Sequence, residues 1–123
     1  MHKVMIKDIT LNWDKTRSKG PYGRYSIQIE FDGDRYEELF KLGTAKLSNN
    51  KWRINLTNTK PIKVVDYKLN DFPDTTIIGN GSKGHIVLYL PDDPIYFKDK
   101  EIRKGIPAAI QVIENVSYFT GDF

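Results

Sequence analysis

Residues 24–31, with the sequence RYSIQIEF, show the clearest β-strand pattern in the chain. The odd-numbered positions are aromatic or aliphatic, and the even-numbered positions are polar. Successive side chains of a strand point to opposite faces of the sheet, so this alternation predicts one buried and one solvated face. The segment therefore predicts a strand at the edge of a hydrophobic core.

The residues before this strand predict a second strand and a loop. Val4, Ile6, Ile9 and Leu11 alternate with polar residues, and the apolar phase shifts once at Lys7-Asp8, where we expect a β-bulge. Residues 15–23 follow, and their Gly20-Pro21 pair with flanking polar residues is typical of an exposed hairpin loop. The first two strands are therefore expected to form a hairpin.

The residues after the strand predict one short helix. Asp34 with Glu37 resembles a capping box, and Tyr36, Leu39 and Phe40 fall near helical spacing up to Gly43. The acidic residues cluster in the first turn, where they suit the helix dipole and repel a polyanion. We expect this helix to lie on the side of the molecule turned away from any ligand.

The second half of the chain predicts further strands at 62–69 and 85–90, a turn at 91–94, and a terminal hairpin from 95–97 and 108–116. Strands dominate, and neither βαβ alternation nor a repeat is visible. The pattern predicts a mainly β protein, a five- to six-stranded barrel with one short α-helix. Periodicity alone does not separate an OB-fold barrel from other small barrels.

Composition limits the possible functions. The 123 residues predict a single domain, and 39% hydrophobic with 28% charged residues is an ordinary globular balance. The chain has no cysteine and two histidines, which argues against disulfides, thiolate metal sites and cysteine nucleophiles. No run approaches the roughly 20 apolar residues of a membrane span, and the start lacks a signal-peptide core. We expect no enzyme activity, no metal and no cofactor.

Two windows combine cations with aromatic residues and contain no acid, residues 15–25 and residues 51–63. The net charge of +3 is mild, so the distribution of charge is more informative than its total. Cations neutralise phosphates and aromatic faces stack on any base, which together make a sequence-tolerant site for single strands. The candidate contacts are Trp13, Lys15, Arg17, Lys19, Tyr22, Arg24, Lys51, Trp52, Arg53 and Lys60.

Each of these residues also has a structural interpretation. Loop lysines and arginines are commonly just solvated, and Tyr25 shares the phase of Ile27, so we expect it in the core. Trp52 alternates with Lys51 and Arg53, and for this residue and for Trp13 burial and stacking stay equally open. Tyr22 and Trp52 are better candidates for stacking than Tyr25.

Catalytic alternatives are weaker. A metal-dependent nuclease would need converging carboxylates, whereas the pairs Asp92-Asp93 and Asp71 with Asp74 lie in proline-bounded turns, for which aspartate is a favoured residue. The glycine-rich stretch 79–84 has neither Walker spacing nor a helix after it. Surface or strand positions are the simpler expectation for His2 and His85.

Residues 78–82, Ile-Gly-Asn-Gly-Ser, followed by the strand 85–90 and by Arg103 to Val116, RKGIPAAIQVIENV, resemble a known family. This half of the chain, roughly Lys60 to Phe119, is similar to the single-stranded DNA-binding proteins of short-tailed bacteriophages. The resemblance implies an OB fold, single-stranded DNA held in a basic and aromatic groove, and no catalysis. It also adds Lys83 and Lys104, beside the matching motifs, as candidate phosphate contacts.

The resemblance carries further expectations. It implies coating and protection of single strands in phage replication and recombination, contacts with replication proteins such as the DNA polymerase, and the cytoplasm of the infected host. Exposed barrel edges would allow a homodimer. We expect a binding domain at 1–119 and a short tail at 120–123, whereas family members commonly carry a long acidic tail that competes with DNA. A protein-interaction module and an RNA-binding barrel stay as alternatives.

Overall fold

Nine β-strands and one 3-10 turn make up the regular structure of the residues that the computed structural model describes, which are 2–20, 22–36, 46–48, 51–93, 95–97 and 100–116. The strands are β1 (His2–Lys15), β2 (Tyr25–Phe31), β3 (Lys46–Ser48), β4 (Lys51–Asn58), β5 (Lys63–Val65), β6 (Ser82–Leu90), β7 (Ile95–Phe97), β8 (Lys100–Ile102) and β9 (Ile106–Glu114).

Seven of these strands form one sheet in the order β3-β4-β2-β1-β6-β9-β5, while β7 and β8 form a separate hairpin. Neighbours in the sheet are antiparallel except for β5 and β9, which are parallel. Since β5 follows β4 after a short connection, its pairing with β9 brings the two ends of the sheet together. Asn58 Nδ2 also donates to the Pro107 carbonyl oxygen at 2.8 Å. The result is a partly open β-barrel with the strand order of an OB fold.

The first strand belongs to both halves of this barrel. Its N-terminal part pairs with β6, its C-terminal part pairs with β2, and the register against β6 shifts between Ile6 and Ile9. Asp8 has a φ of 58°, the left-handed conformation that a bulge residue can adopt. The bulge predicted at Lys7-Asp8 is confirmed, and it allows a single strand to bend around the core.

The core fills the barrel with aliphatic side chains that alternate along the strands. Tyr25 and Trp52 are half-buried and pack against this core, which confirms that Tyr25 shares the inward phase of its strand. The buried residues are Ile9, Leu11, Ile27, Ile29, Phe31, Ile54, Leu56, Ile62, Val64, Ile78, Ile86, Leu88, Ile110 and Val112.

Two strand predictions were wrong in detail. The segment 62–69 forms a strand only at Lys63–Val65, because the Asp66 carboxylate accepts the backbone N–H groups of Lys68 and Asn70 at 2.8 and 3.0 Å and turns the chain. The predicted terminal hairpin does not form, because β9 pairs with β6 and β5 while β7 pairs with β8. Strand β4 was not predicted, although Trp52, Ile54 and Leu56 alternate along it.

The helix predicted after β2 starts as a 3-10 turn at Gly33–Arg35, and residues 37–45 lie outside the described residues. The predicted boundary between a domain at 1–119 and a tail at 120–123 also lies outside them. No helix in the described part of the chain is long and apolar enough to cross a membrane.

Candidate nucleic-acid interface

The outer face of β1, β2 and β4 is polar because the apolar positions of these strands point into the barrel. The register places Asn12 beside Gln28, and Gln28 beside Asn55. Gln28 Nε2 donates to Asn55 Oδ1 at 2.9 Å, and Asn12 Nδ2 donates to Glu30 Oε2 at 3.3 Å. In small barrels of this type, this face and the loop between the first two strands commonly hold oligonucleotides.

The β1–β2 loop, residues 16–24, is anchored at its base by Arg17. This guanidinium donates to the carbonyl oxygens of Phe72, Pro73 and Thr76, with a distance of 2.7 Å to Pro73. Its side chain is only 15% exposed. Arg17 was a candidate DNA contact, but the structure commits its two Nη groups to backbone carbonyl oxygens and to Asp14.

Asp14 completes this anchor from the end of β1. Its buried carboxylate pairs with Arg17 at 3.3 Å and accepts the backbone N–H groups of Thr16 and Ile78 at 2.9 and 2.8 Å. The Ile62 N–H also bonds to the Thr16 carbonyl oxygen at 2.9 Å. The base of the loop is therefore fixed to residues 62 and 72–78.

Above this base, the loop presents cations and aromatic rings to solvent. Lys15, Lys19 and Arg24 are exposed, and Tyr22 is 91% exposed. Within the described part of the chain these three cations form no ion pair. Their charges are therefore available to a phosphate.

Trp13 lies beside the loop and is 63% exposed. It occupies an irregular stretch of β1 between the Asn12–Gln28 and Lys15–Ser26 pairs and has a φ of 56°. Its backbone N–H donates to Asn80 Oδ1 at 2.8 Å, which holds this conformation. A bulky residue in the left-handed region is uncommon and costs about 1–3 kcal/mol. Of the two interpretations left open for Trp13, the structure shows the exposed one.

The cations at the start of β4 are neutralised within the protein. Lys51 forms an ion pair with Asp32, and Arg53 Nε donates to Glu30 Oε2 at 2.7 Å. Hydrogen bonding with Lys51 and its charge lower the pKa of Asp32, and the same contact raises the pKa of Lys51. Positive potential on this part of the face is therefore weaker than the sequence predicts.

Trp52 is half-buried, and its ring centroid lies 4.5 Å from that of Tyr36 at an interplanar angle of 44°. It shares the inward phase of Ile54 and Leu56. Of the two interpretations left open for Trp52, the structure shows the packed one.

Three further candidates lie apart along the barrel. Lys60 and Lys104 are exposed. Lys60 lies two residues after Asn58 and Lys104 lies three residues before Pro107, and the Asn58–Pro107 hydrogen bond ties the end of β4 to the start of β9. Lys83 lies opposite Thr10 in the β1–β6 ladder, and its Nζ donates to Thr10 Oγ1 at 2.8 Å. Lys60 follows the end of β4, and this end pairs with the start of β2, next to the loop cation Arg24.

Sequence reasoning missed two features of this surface. Tyr96, on the β7–β8 hairpin between β6 and β9, is 72% exposed and was assigned only to a strand-like stretch. Asn55 and Gln28 form an amide pair on the polar face. The alternation of Asn55 with Ile54 and Leu56 was the available signal.

The glycine-rich stretch has a structural role. A Cβ at Gly79 would lie 1.6 Å from the Val116 carbonyl oxygen, and Gly81 has a φ of 91°. The Ser82 hydroxyl donates to the Gly79 carbonyl oxygen at 2.6 Å and accepts the Val116 N–H at 2.8 Å. Gly79 and Gly81 therefore allow a close backbone approach and a left-handed conformation. Among the described residues, no group of three or more histidine or acidic side chains converges on a metal position.

The sequence matches no protein-family model and no curated protein. Solved structures do match. The single-stranded DNA-binding protein from bacteriophage Enc34 gives a TM-score of 0.66 at 11% identity, over 98% of this chain and 86% of that chain. The same phage protein in complex with single-stranded DNA gives a TM-score of 0.66 at 11% identity, over 95% of this chain and 89% of that chain.

A second phage protein has the same fold. The single-stranded DNA-binding protein gp2.5, encoded by bacteriophage T7, gives a TM-score of 0.62 at 14% identity, over 98% of this chain and 91% of that chain. The chain therefore has the fold of these phage proteins, and the predicted mainly β, OB-type barrel is confirmed.

Proposed function

We propose that this chain is a non-catalytic protein that binds single-stranded DNA without strong sequence preference. The observation that carries the proposal is that Trp13, near the end of β1, and Tyr22, in the β1–β2 loop, are exposed in the same stretch of chain as Lys15, Lys19 and Arg24, which form no ion pair with another described residue. The shared fold with phage single-stranded DNA-binding proteins supports it.

This combination suits single strands rather than duplexes. Cations bind the phosphates of either form, but an exposed ring stacks only on a base that is not already stacked in a duplex. Stacking contributes about 1–3 kcal/mol per base and accepts every base, because each has a π-face. Phosphate binding by the cations and stacking on the rings together therefore give affinity without sequence preference.

The conformation of Trp13 supports the same assignment. Its left-handed backbone and its bond to Asn80 keep a large apolar ring in solvent, where it gains nothing from burial. Strained residues of this kind cluster at functional sites. We assign Trp13 as the principal stacking residue, with Tyr22 as the second.

The remaining candidates divide by their contacts. Lys60, Lys83 and Lys104 are exposed and are assigned as phosphate contacts, with Lys60 nearest the loop. Lys51 and Arg53 take part only when DNA displaces Asp32 and Glu30 from them. Arg17 and Trp52 are assigned structural roles, because their side chains are engaged within the fold.

The wider role follows from the same proposal. A protein of this kind would coat and protect single strands during phage replication and recombination in the cytoplasm of the infected host. Contacts with replication proteins such as the DNA polymerase, and a homodimer, belong to this proposal. So does a binding domain at residues 1–119 with a short tail at 120–123.

One titration tests the function. A fluorescent oligo-dT is titrated with the protein at two salt concentrations, followed by competition with unlabelled duplex DNA and with RNA of equal length. We expect affinity to fall steeply with salt, single-stranded DNA to compete best, and tryptophan fluorescence to be quenched. Equal competition by duplex would contradict the proposal. A low-salt titration without any binding would favour the protein-interaction module.

A further inference from the structure

A cleft of about 490 Å³ lies below the β1–β2 loop, between residues 61–64 and residues 71–74. Its floor is apolar, because Ile62 and Val64 belong to the core and are almost completely buried. Pro61, Phe72 and Pro73 also line it. The volume falls in the range of small-molecule sites, roughly 300–1,000 Å³.

Two contacts fix the shape of this cleft. The Phe72 N–H donates to the Val64 carbonyl oxygen at 3.0 Å, which sets the distance between the two walls. The Arg17 guanidinium lies 5.4 Å from the centroid of the Phe72 ring and bonds to the Pro73 carbonyl oxygen. The residue that anchors the loop therefore also orients the aromatic wall of the cleft.

Unpaired cations connect the loop to this cleft. Lys60 precedes Pro61, Lys63 lines the cleft, and Lys15 lies one residue before Thr16, whose carbonyl oxygen bonds to Ile62. All three lysines are exposed, and within the described residues none of them forms an ion pair. By contrast, the two cations at the start of β4 are held by acids. A DNA strand that continues from the loop would therefore find the positive charges of Lys60 and Lys63 next to its phosphates.

We propose that this cleft receives one base of the bound strand and favours a base with an exocyclic amino group, such as cytosine. The inference rests on the proposed function and deepens it, since it assigns a base-selective subsite to an otherwise sequence-tolerant surface. The apolar floor and walls bury the heterocycle, while Lys60 and Lys63 hold the adjoining phosphates.

The preference follows from the polar groups at the rim of the cleft. Asp71 and Asp74 are exposed carboxylates among its lining residues, and Asp74 Oδ1 forms an ion pair with Arg17 Nη1 at 3.9 Å. A carboxylate accepts hydrogen bonds from the N4 amino group of cytosine, whereas thymine offers a carbonyl oxygen at the same position. The two carboxylates are matched by Arg17 and Lys63 in the same lining, so the cleft has no net positive charge that would favour a phosphate as its occupant.

Binding of labelled oligo-dC and oligo-dT of equal length tests this subsite at pH 8 and fixed salt. The full chain is compared with a D71A/D74A variant and with D93A, which removes an exposed acid outside the cleft. We expect D71A/D74A to reduce the ratio of dC to dT affinity by at least about fivefold. The D93A control should leave that ratio unchanged.

The outcomes separate this inference from the function it rests on. If both oligonucleotides bind and D71A/D74A leaves the affinity ratio unchanged, the subsite is wrong while single-strand binding stands. If neither oligonucleotide binds the unmodified chain at low salt, the proposed function itself fails and the subsite with it. A Phe72→Leu variant with an unchanged melting temperature should bind both oligonucleotides more weakly than the unmodified chain. Unchanged affinity for both oligonucleotides would also overturn the subsite.

Discussion

Arg53 Nε donates a 2.7 Å hydrogen bond to Glu30 Oε2 across the ladder between β4 and β2. The neighbouring Lys51 makes the same kind of contact with Asp32. Two acids therefore occupy two cations on the face where this type of barrel commonly binds oligonucleotides. If the protein binds single-stranded DNA on this face as proposed, the DNA has to compete with these acids for both side chains.

Removing one of these acids should strengthen DNA binding. Asp32→Asn releases the exposed Lys51, and because exposed ion pairs are weak, affinity should rise by no more than about fivefold. One additional phosphate contact should steepen the salt dependence by roughly 0.7 in log–log slope. Oligo-dT titrations at four salt concentrations measure both effects, with D93A as the control for net charge. A variant that behaves like D93A would show that Lys51 is not near the DNA.

The same pair has a defined dependence on pH. Lys51 lowers the pKa of Asp32 below its ordinary value of 3.8, so the carboxylate contributes stability above that value and loses it as pH falls through the lowered pKa. Thermal unfolding from pH 2 to pH 8 should therefore show the unmodified chain more stable than Asp32→Asn above pH 3.8. The two curves should approach each other as the pH falls through the lowered pKa of Asp32, and a difference that grows in acid would contradict this assignment.

The two tryptophans should separate binding from stability. Trp13→Ala removes an exposed ring, so it should weaken oligo-dT binding by about 1–3 kcal/mol with the salt slope and melting temperature unchanged. Trp52→Ala removes a ring packed on Tyr36 and the core, and should lower the free energy of unfolding by about 1–3 kcal/mol. In a Trp52→Phe protein, DNA should still quench the remaining tryptophan. If Trp13→Ala lowered stability and Trp52→Ala weakened DNA binding, the roles of the two tryptophans would be exchanged.

Arg17 and Lys19 lie in the same loop but should respond differently to substitution. Lys19→Ala should reduce the salt slope of DNA binding by roughly 0.7 and leave stability unchanged. Arg17→Ala leaves the buried Asp14 carboxylate without its cation and frees three backbone carbonyls, so unfolding should become easier by about 3 kcal/mol or more. Urea unfolding and oligo-dT titration of both variants measure this contrast. An Arg17→Ala protein of normal stability would return Arg17 to the list of DNA contacts.

Gly79 should tolerate no side chain. Its Cβ would overlap the Val116 carbonyl oxygen, so Gly79→Ala must displace the chain just after β9 and should destabilise the fold by about 2 kcal/mol or more. Gly20→Ala is the matched control, because its nearest contact would be an ordinary 3.5 Å to the Arg24 carbonyl oxygen. Melting temperatures of the two variants provide the test. Equal melting temperatures would mean that the contact with Val116 is not maintained in solution.

The strands that alternate cleanly could be predicted from sequence. Residues 24–31 show this well, and the phase shift at Lys7-Asp8 located the bulge because a one-residue slip moves every later side chain to the other face. The end of β5 was overestimated, since the Asp66 turn is a local hydrogen-bonding effect that interrupts an otherwise apolar run. The pairing of β9 was also mispredicted, because periodicity carries no information on which strands are neighbours.

The candidate site, like the fold, could be predicted only in part from the sequence. Tyr22 is exposed as its loop context suggested, and Trp13, for which burial and stacking were both open, is exposed as well. In the second basic window, by contrast, Lys51 and Arg53 are neutralised. The acids responsible, Asp32 and Glu30, lie about twenty residues earlier in the chain. A window of sequence without acids therefore does not predict a surface without acids, because the register of β2 and β4 supplies them.

The position of β1 between two groups of strands has a consequence for how the chain acquires its structure. Thr10 and Leu11 pair with β2 on one side and with β6 on the other, across separations of about twenty and about seventy residues. During synthesis the N-terminal strand emerges first, but its second neighbour emerges only when most of the chain has been made. Contacts of such long sequence separation form slowly. The edge of β1 that pairs with β6 therefore stays open in the nascent chain until Ser82–Leu90 has been synthesised.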